Sequence, residues 1–102
     1  MIKVSYEPDK ERYSYLKVEG HAEFADAGQD LICAAVSSIV YGLMNALDGF
    51  GEEVEIHDNE DDIEIRILSD DQTVQNYIDL VLIQLKTIEY SYGDFIKIKE
   101  RK

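Results

Sequence analysis

The sequence has 102 residues, enough for one modest hydrophobic core, so residues 1–102 are treated as a single domain. Its net charge of −12 disfavours nucleic acid or an anionic membrane as a direct ligand and favours a basic peptide or protein. One cysteine cannot form an internal disulfide, and the first ten residues do not resemble a signal peptide. The longest apolar stretch, Leu31 to Leu47, falls short of the ~20 apolar residues of a membrane span. We expect a cytoplasmic protein without direct nucleic-acid or membrane contact.

The first third of the chain predicts a β-hairpin followed by a loop. Apolar and polar residues alternate from Ile2 to Tyr6, and a second alternating stretch ends at Gly20. Residues 1–20 therefore predict two strands joined by a turn. Residues 21–30 show no periodicity and are predicted to form a loop.

The next segments predict a helix and a second hairpin. Apolar residues recur at three- and four-residue spacing from Leu31 to about Asp48, with Asp30 in the place of an N-cap. Alternating residues around Ile56 and Ile65 predict two further strands, and the second histidine, His57, is expected in the polar turn between them.

The last third predicts a second helix and a final strand. Ser69 followed by Gln72 is typical of a capping box, and apolar residues then recur with a helical period as far as Ile88. Gly93 suits the end of this helix, and a short apolar alternation follows it. The order ββαββαβ indicates an α+β fold: a mostly antiparallel sheet with two helices packed on it.

Cys33 is the candidate centre of chemistry. With Asp30 as N-cap, Cys33 would be the third residue of the first helical turn, where unpaired amides and the helix dipole favour a thiolate. A thiolate needs a proton partner, and His21 lies at the start of the loop that leads into this helix. An inert buried cysteine is the plainer interpretation of the same pattern, and a serine such as Ser37 usually bonds its own helix backbone.

A resemblance to a known family favours a catalytic Cys33 over an inert buried one. The segment Gly20-His21-Ala22, then a loop, then Asp30-Leu31-Ile32-Cys33-Ala34-Ala35-Val36-Ser37, resembles the signature of the ribosomal-processing cysteine protease family, Prp. The resemblance extends over the whole chain in length, element order and acidic character. It implies a cytoplasmic endopeptidase that removes a short N-terminal extension from a large-subunit ribosomal protein. The implied cut follows two aromatic residues and leaves a small residue at the new N-terminus.

Carried over by position, the resemblance implies that Cys33 is the nucleophile and His21 the general base. Gly20, Asp30 and Ser37 match the motif as supporting positions. The resemblance also implies a homodimer and a mobile loop between histidine and cysteine that closes over the peptide. The small residues of loop 22–29 suit such a lid, and Phe24 could pack on an aromatic substrate residue.

Other classes of function stay open at this point. A non-catalytic acidic dimer could hold a basic ribosomal-protein peptide with Cys33 merely packed, or Cys33 could be a redox-sensing thiol. One cysteine and two distant histidines do not supply a zinc shell, so no metal or other cofactor is expected. The orienting partner of His21 is also open among Asp30, Asp26 and Glu23.

Overall fold

The structure is a computed structural model that describes residues 1–20, 29–59 and 61–101. The described part contains five strands and two α-helices in the predicted order. The strands are β1 (Ile2–Asp9), β2 (Arg12–Glu19), β3 (Val54–Asp58), β4 (Asp62–Ile67) and β5 (Ile96–Glu100). The helices are α1 (Gln29–Leu47) and α2 (Gln72–Tyr92), and a 3-10 helix (Asp48–Glu53) follows α1.

The strands form one sheet in the order β3-β4-β2-β1-β5. Three of the pairings, β1 with β2, β2 with β4 and β3 with β4, are antiparallel, whereas β5 pairs with β1 in parallel. The prediction of a mostly antiparallel sheet is confirmed. β2 lies at the centre, so both neighbours of the strand that ends at Gly20 are themselves paired.

The core lies between one face of this sheet and the two helices. Alternation places one side of each strand in the core, so that Leu16 and Val18 of β2 lie beside Ile65 and Ile63 of β4. The largest fully buried side chains are Ile2, Leu16, Leu47, Ile63, Ile65, Ile78, Leu82, Leu85 and Ile96. Burying a side chain of this kind stabilises the fold by roughly 1.5–3 kcal/mol.

The opposite face of the sheet carries no helix in the described chain and is mostly charged. Lys3, Lys97 and Lys99 line a hollow on this face beside β5. Tyr15 is buried here as well, because Arg66 and Arg101 both lie over its ring, at 5.2 Å and 4.7 Å from the ring centroid. We call this surface the open sheet face.

Both predicted helix starts need correction. α1 begins at Gln29, so Asp30 lies inside the first turn and is not the N-cap. α2 is capped by Asp71, whose Oδ1 accepts hydrogen bonds from the amides of Thr73 and Val74. Ser69 instead accepts a hydrogen bond from the Asp71 amide and donates one to Glu53. Ser69 therefore bonds the capping residue and is not itself the cap.

Two smaller expectations are also wrong. His57 lies within β3 and not in the turn after it, because the second hairpin continues as far as Asp58 paired with Ile63. Helical structure continues beyond Leu47, so Leu31–Glu53 is long and apolar enough by length and composition to cross a membrane. A third of its most apolar window is buried, and the core helix of a soluble protein meets the same criterion.

The connections fix the direction of both helices. α1 is followed by the 3-10 helix and then by the start of β3 at Val54, which lies at the opposite end of the sheet from Gly20. Because α1 is about 28 Å long, its first turn lies at the Gly20 end. α2 runs the other way and leads into β5, whose Ile96 pairs with Ile2 at the Gly20 end.

Candidate active site

Gly20 ends the central strand and sets the direction in which the chain leaves it. Its φ of 83° lies in the left-handed region, where a residue with a Cβ would be strained. The Gly20 amide donates a hydrogen bond of 2.9 Å to the carbonyl oxygen of Asp61. This bond fixes the last described position before His21 against the loop between β3 and β4.

Cys33 lies one turn inside α1, as its fifth residue, and not in the first turn as predicted. Its side chain is 7% exposed and belongs to the buried apolar cluster. In a helix that begins at Gln29, the unpaired amides of the first turn include those of residues 29–31. Because helical side chains tilt toward the N-terminus, the Cys33 thiol leans back over that first turn. The amides of the first turn can therefore still stabilise a Cys33 thiolate. Burial among apolar residues disfavours the charged form.

Ser37 lies one turn beyond Cys33, and the two residues share a face of α1. Its side chain is half-buried. The supporting role of Ser37 stays a prediction. Asp30 lies in the first turn of the same helix.

Two predicted site residues lie outside the described part of the chain. They are His21, the predicted base, and Phe24, the predicted contact for an aromatic substrate residue. The predicted lid over residues 22–29 also lies there, apart from Gln29, which begins α1. Pairing of His21 with Cys33 stays a prediction.

Acidic side chains surround the place where β2 ends, and the sequence interpretation did not single them out. Lys17 of β2 has its Nζ 3.6 Å from Glu19, 3.9 Å from Asp62 and 3.4 Å from Glu64. Burial opposes the ammonium charge, but the carboxylates of Glu19 and Glu64 outweigh it and raise the pKa of Lys17 above its usual value. One cation thus holds three carboxylates in place, and the group keeps an excess of negative charge.

The turn between β3 and β4 adds further acidic residues at the same end of the sheet. Asp58 and Asp61 are exposed, and the hydroxyl of Tyr41 donates a 3.4 Å hydrogen bond to Asp58. Burial and then the Asp58 carboxylate raise the pKa of Tyr41. We call the carboxylates of Glu19, Asp58, Asp61 and Asp62 the acidic rim. The acidic run from Asp58 to Asp62 was visible in the sequence, but only the strand register brings it beside Gly20.

A metal site needs several ligating side chains close together. Within residues 1–20, 29–59 and 61–101, no three histidine, cysteine, aspartate or glutamate side chains are grouped so that they could hold a metal ion.

Comparison with known proteins adds to this geometry. The family model described as "Cysteine protease Prp" matches residues 1–97. Among curated proteins, the ribosomal processing cysteine protease Prp of Bacillus subtilis is 34% identical over 95 residues and covers 80% of each chain. The protein of the same name from Mycoplasma pneumoniae is 30% identical over 87 residues, which is 85% of this chain and 87% of that protein.

Solved structures resemble the fold closely. The essential ribosomal processing protease Prp from S. aureus in complex with a substrate peptide superposes with a TM-score of 0.91 at 25% identity, covering 99% of this chain and all of the other. The same protease with a covalently linked product peptide gives a TM-score of 0.87 at 26% identity with the same coverage.

Proposed function

The chain belongs to the cysteine protease Prp family and is a cysteine protease, and from this premise we propose that it removes the N-terminal extension of a large-subunit ribosomal protein. We assign the nucleophile to Cys33 and the general base to His21. The observation that carries the proposal is the position of Cys33 on α1, one turn from the helix N-terminus, at the end of the sheet where β2 leads into His21. A related protease of the same fold holds a covalently linked product peptide, which supports covalent catalysis.

The proposed reaction is an acyl transfer in two steps. His21 accepts the thiol proton, the Cys33 sulfur attacks the scissile carbonyl carbon, and the resulting imidazolium protonates the leaving amine as the C–N bond breaks. Water, deprotonated by His21, then attacks the thioester, and the thiol regains its proton. The unpaired amides of the first turn of α1 point toward the developing oxyanion and would stabilise it.

The charge of the site supports a basic substrate. The acidic rim lies beside Gly20, and among the described residues Lys17 forms the ion pairs to Glu19 and Asp62. An N-terminal segment of a ribosomal protein is basic because it meets ribosomal RNA, so such a peptide would be attracted over a distance of several ångströms. Gly20, Asp30 and Ser37 keep their proposed supporting roles, and Phe24 is proposed to contact an aromatic substrate residue.

The proposal includes a homodimer located in the cytoplasm, as the family resemblance implies. The buried state of Cys33 favours one competing function: a non-catalytic acidic module that binds the same basic peptide with Cys33 as a packing residue. The two functions differ in whether a peptide bond is broken.

Cleavage of a fluorogenic peptide tests the proposal. The peptide carries a basic segment, two adjacent aromatic residues and a following alanine, with the products identified by mass spectrometry. We expect wild type to cut after the aromatic pair, Cys33→Ala to lose all cleavage, and Ser38→Ala, a matched change at an exposed position of the same helix, to keep it. Peptide binding without cleavage by wild type would establish the non-catalytic module.

A further inference from the structure

The last facing pair between β2 and β4 consists of two carboxylates, because Glu19 pairs with Asp62. The next backbone bond runs from the Gly20 amide to the carbonyl oxygen of Asp61, at 2.9 Å. Antiparallel ladders alternate between pairs that share hydrogen bonds and pairs that do not. Glu19 and Asp62 therefore form a pair of the second kind, in which facing side chains come closest. Like charges that face each other in this way repel and destabilise a sheet.

Lys17 offsets the repulsion between these two carboxylates. Its Nζ lies 3.6 Å from Glu19 and 3.9 Å from Asp62, so one ammonium group bridges the facing pair. A third carboxylate, that of Glu64, lies 3.4 Å from the same nitrogen and belongs to the residue that Lys17 faces across the ladder. The side chain of Lys17 is 24% exposed, so solvent screens these ion pairs only in part.

The bridged pair immediately precedes the proposed general base in the chain. Glu19 ends β2, Gly20 follows it with a φ of 83°, and one peptide bond joins Gly20 to His21. The direction in which the chain leaves β2 therefore depends on the position of Gly20. Repulsion between Glu19 and Asp62 would weaken the adjacent bond from the Gly20 amide, because both interactions lie at the same end of the ladder.

We propose that Lys17 is a positioning residue for catalysis: by bridging Glu19 and Asp62 it holds Gly20 in place and thereby fixes the point from which His21 begins. This role rests on the proposed function, in which His21 is the general base, and adds a residue of β2 that supports it. Lys17 acts through the backbone and not by contact with the substrate. A base must lie within hydrogen-bond reach of the proton it accepts, so a small displacement slows the chemical step.

Positioning by Lys17 and its effect on substrate attraction predict different kinetic changes. Loss of the ammonium charge makes the acidic rim more negative, so a basic peptide would be attracted more strongly and KM would fall. Loss of positioning instead lowers kcat, because the base is displaced from the reacting atoms. The two effects are therefore separated by measuring KM and kcat on the same variant.

Steady-state kinetics of the full chain with the fluorogenic peptide tests the proposal. We expect Lys17→Met to lower kcat roughly tenfold, since a displacement of about 1 Å can cost up to 100-fold, while KM stays the same or falls. Lys17→Arg keeps the charge and can bridge two carboxylates, so it should restore most of kcat. Lys99→Met removes the same charge from the open sheet face beside β5 and is the matched control, with the kcat of wild type.

Circular dichroism and thermal unfolding should show Lys17→Met folded at the assay temperature, because ion pairs between partly exposed side chains contribute little to global stability. A second variant tests the repulsion directly. Lys17→Met combined with Glu19→Gln no longer has like charges facing each other, so it should recover part of the lost kcat.

Two results would overturn the positioning role: an unchanged kcat in Lys17→Met, or a lowered kcat that Lys17→Arg does not restore. A change in KM alone would show that Lys17 acts on the charge of the acidic rim and not on the base. Absence of cleavage by wild type contradicts the proposed function and the positioning role with it. A cleaving wild type whose kcat is matched by Lys17→Met contradicts the positioning role alone.

Discussion

Gln75 shows how a single side chain completes the backbone bonding of a strand. It is the buried polar residue of the described core, and its amide meets both backbone groups of Tyr13: Oε1 accepts from the Tyr13 amide at 2.6 Å and Nε2 donates to the Tyr13 carbonyl at 2.9 Å. α2 is thereby attached to the start of β2, because the carboxamide offers the same donor and acceptor as a neighbouring strand.

We expect Gln75→Leu to lower the free energy of unfolding by about 1–3 kcal/mol, because both backbone groups of Tyr13 lose their partner while staying half-buried. Urea denaturation followed by circular dichroism measures this. Gln72→Leu, which removes an exposed hydrogen bond to Asn76, is the matched control and should cost much less. Equal losses in the two variants would show that the Tyr13 bonds contribute nothing specific.

Tyr13 also predicts a dependence of stability on alkaline pH. Burial, and then the hydrogen bond from its hydroxyl to Asp79, raise the pKa of Tyr13 from 10.0 to about 12. A pKa raised by folding means that the neutral phenol stabilises the native state. This contribution is complete below pH 10 and is lost as the pH rises from 10 to 12.

Tyr13→Phe should therefore make the loss of stability between pH 10 and pH 12 shallower than in wild type, as measured by urea midpoints across that range. Tyr90→Phe, at a tyrosine that is almost fully exposed, should follow the wild-type curve. A Tyr13→Phe curve parallel to wild type would contradict the account.

At the scale of elements, Asp71 determines where α2 begins. Its carboxylate accepts two of the amide hydrogen bonds that a helix start leaves unpaired. Asp71→Ala should lower the free energy of unfolding by about 0.5–2 kcal/mol, whereas Asp70→Ala, at the adjacent exposed residue, should change it little. Thermal unfolding of both variants measures the difference. A larger loss of stability in Asp70→Ala would show that Asp70, and not Asp71, caps α2.

Existence and order of the elements could be predicted from the sequence, because periodicity reports directly which side of a strand or helix is buried. The helix starts could not, since Ser69, Asp70 and Asp71 are all plausible caps and only the backbone conformation selects Asp71. Strand order also escaped prediction. The parallel pairing of β5 with β1 depends on where α2 ends, which periodicity does not encode.

At the scale of the whole molecule, charge is sorted by surface. The acidic rim occupies the Gly20 end of the sheet, and lysines collect on the open sheet face beside β5. Net charge alone predicted a basic partner, but not where it would bind. The proposed location, the acidic rim, depends on the hydrogen bond that holds Asp61 beside Gly20.

Asp61→Lys should raise KM for a basic peptide several-fold at low salt while leaving kcat nearly unchanged, because the exposed carboxylate attracts the substrate without touching the reacting atoms. The difference should shrink at high salt, where screening reduces attraction. Steady-state kinetics at two salt concentrations checks this. Asp70→Lys at the far end of the sheet makes the same charge change, and an equal effect there would rule out a local role for the acidic rim.

The candidate site was predictable in part. Placement of Cys33 and Ser37 on one helix face follows from their four-residue spacing, and a glycine before His21 suits the left-handed backbone observed at Gly20. The predicted position of Cys33 within α1, third, is wrong by two residues, because α1 begins at Gln29 and Cys33 is its fifth residue. The roles of His21 and Phe24 stay predictions.

Covalent labelling tests the central claim, that Cys33 is a nucleophile activated by His21. A peptide chloromethyl ketone that ends in two phenylalanines would be incubated with the protein, and the adduct located by intact-mass and fragment analysis. The account predicts one adduct per chain on Cys33, formed rapidly by wild type and by His57→Ala, whose histidine is exposed on β3, and formed slowly by His21→Ala. Labelling of Cys33 at the same slow rate in all three proteins would contradict it and leave Cys33 a packing residue.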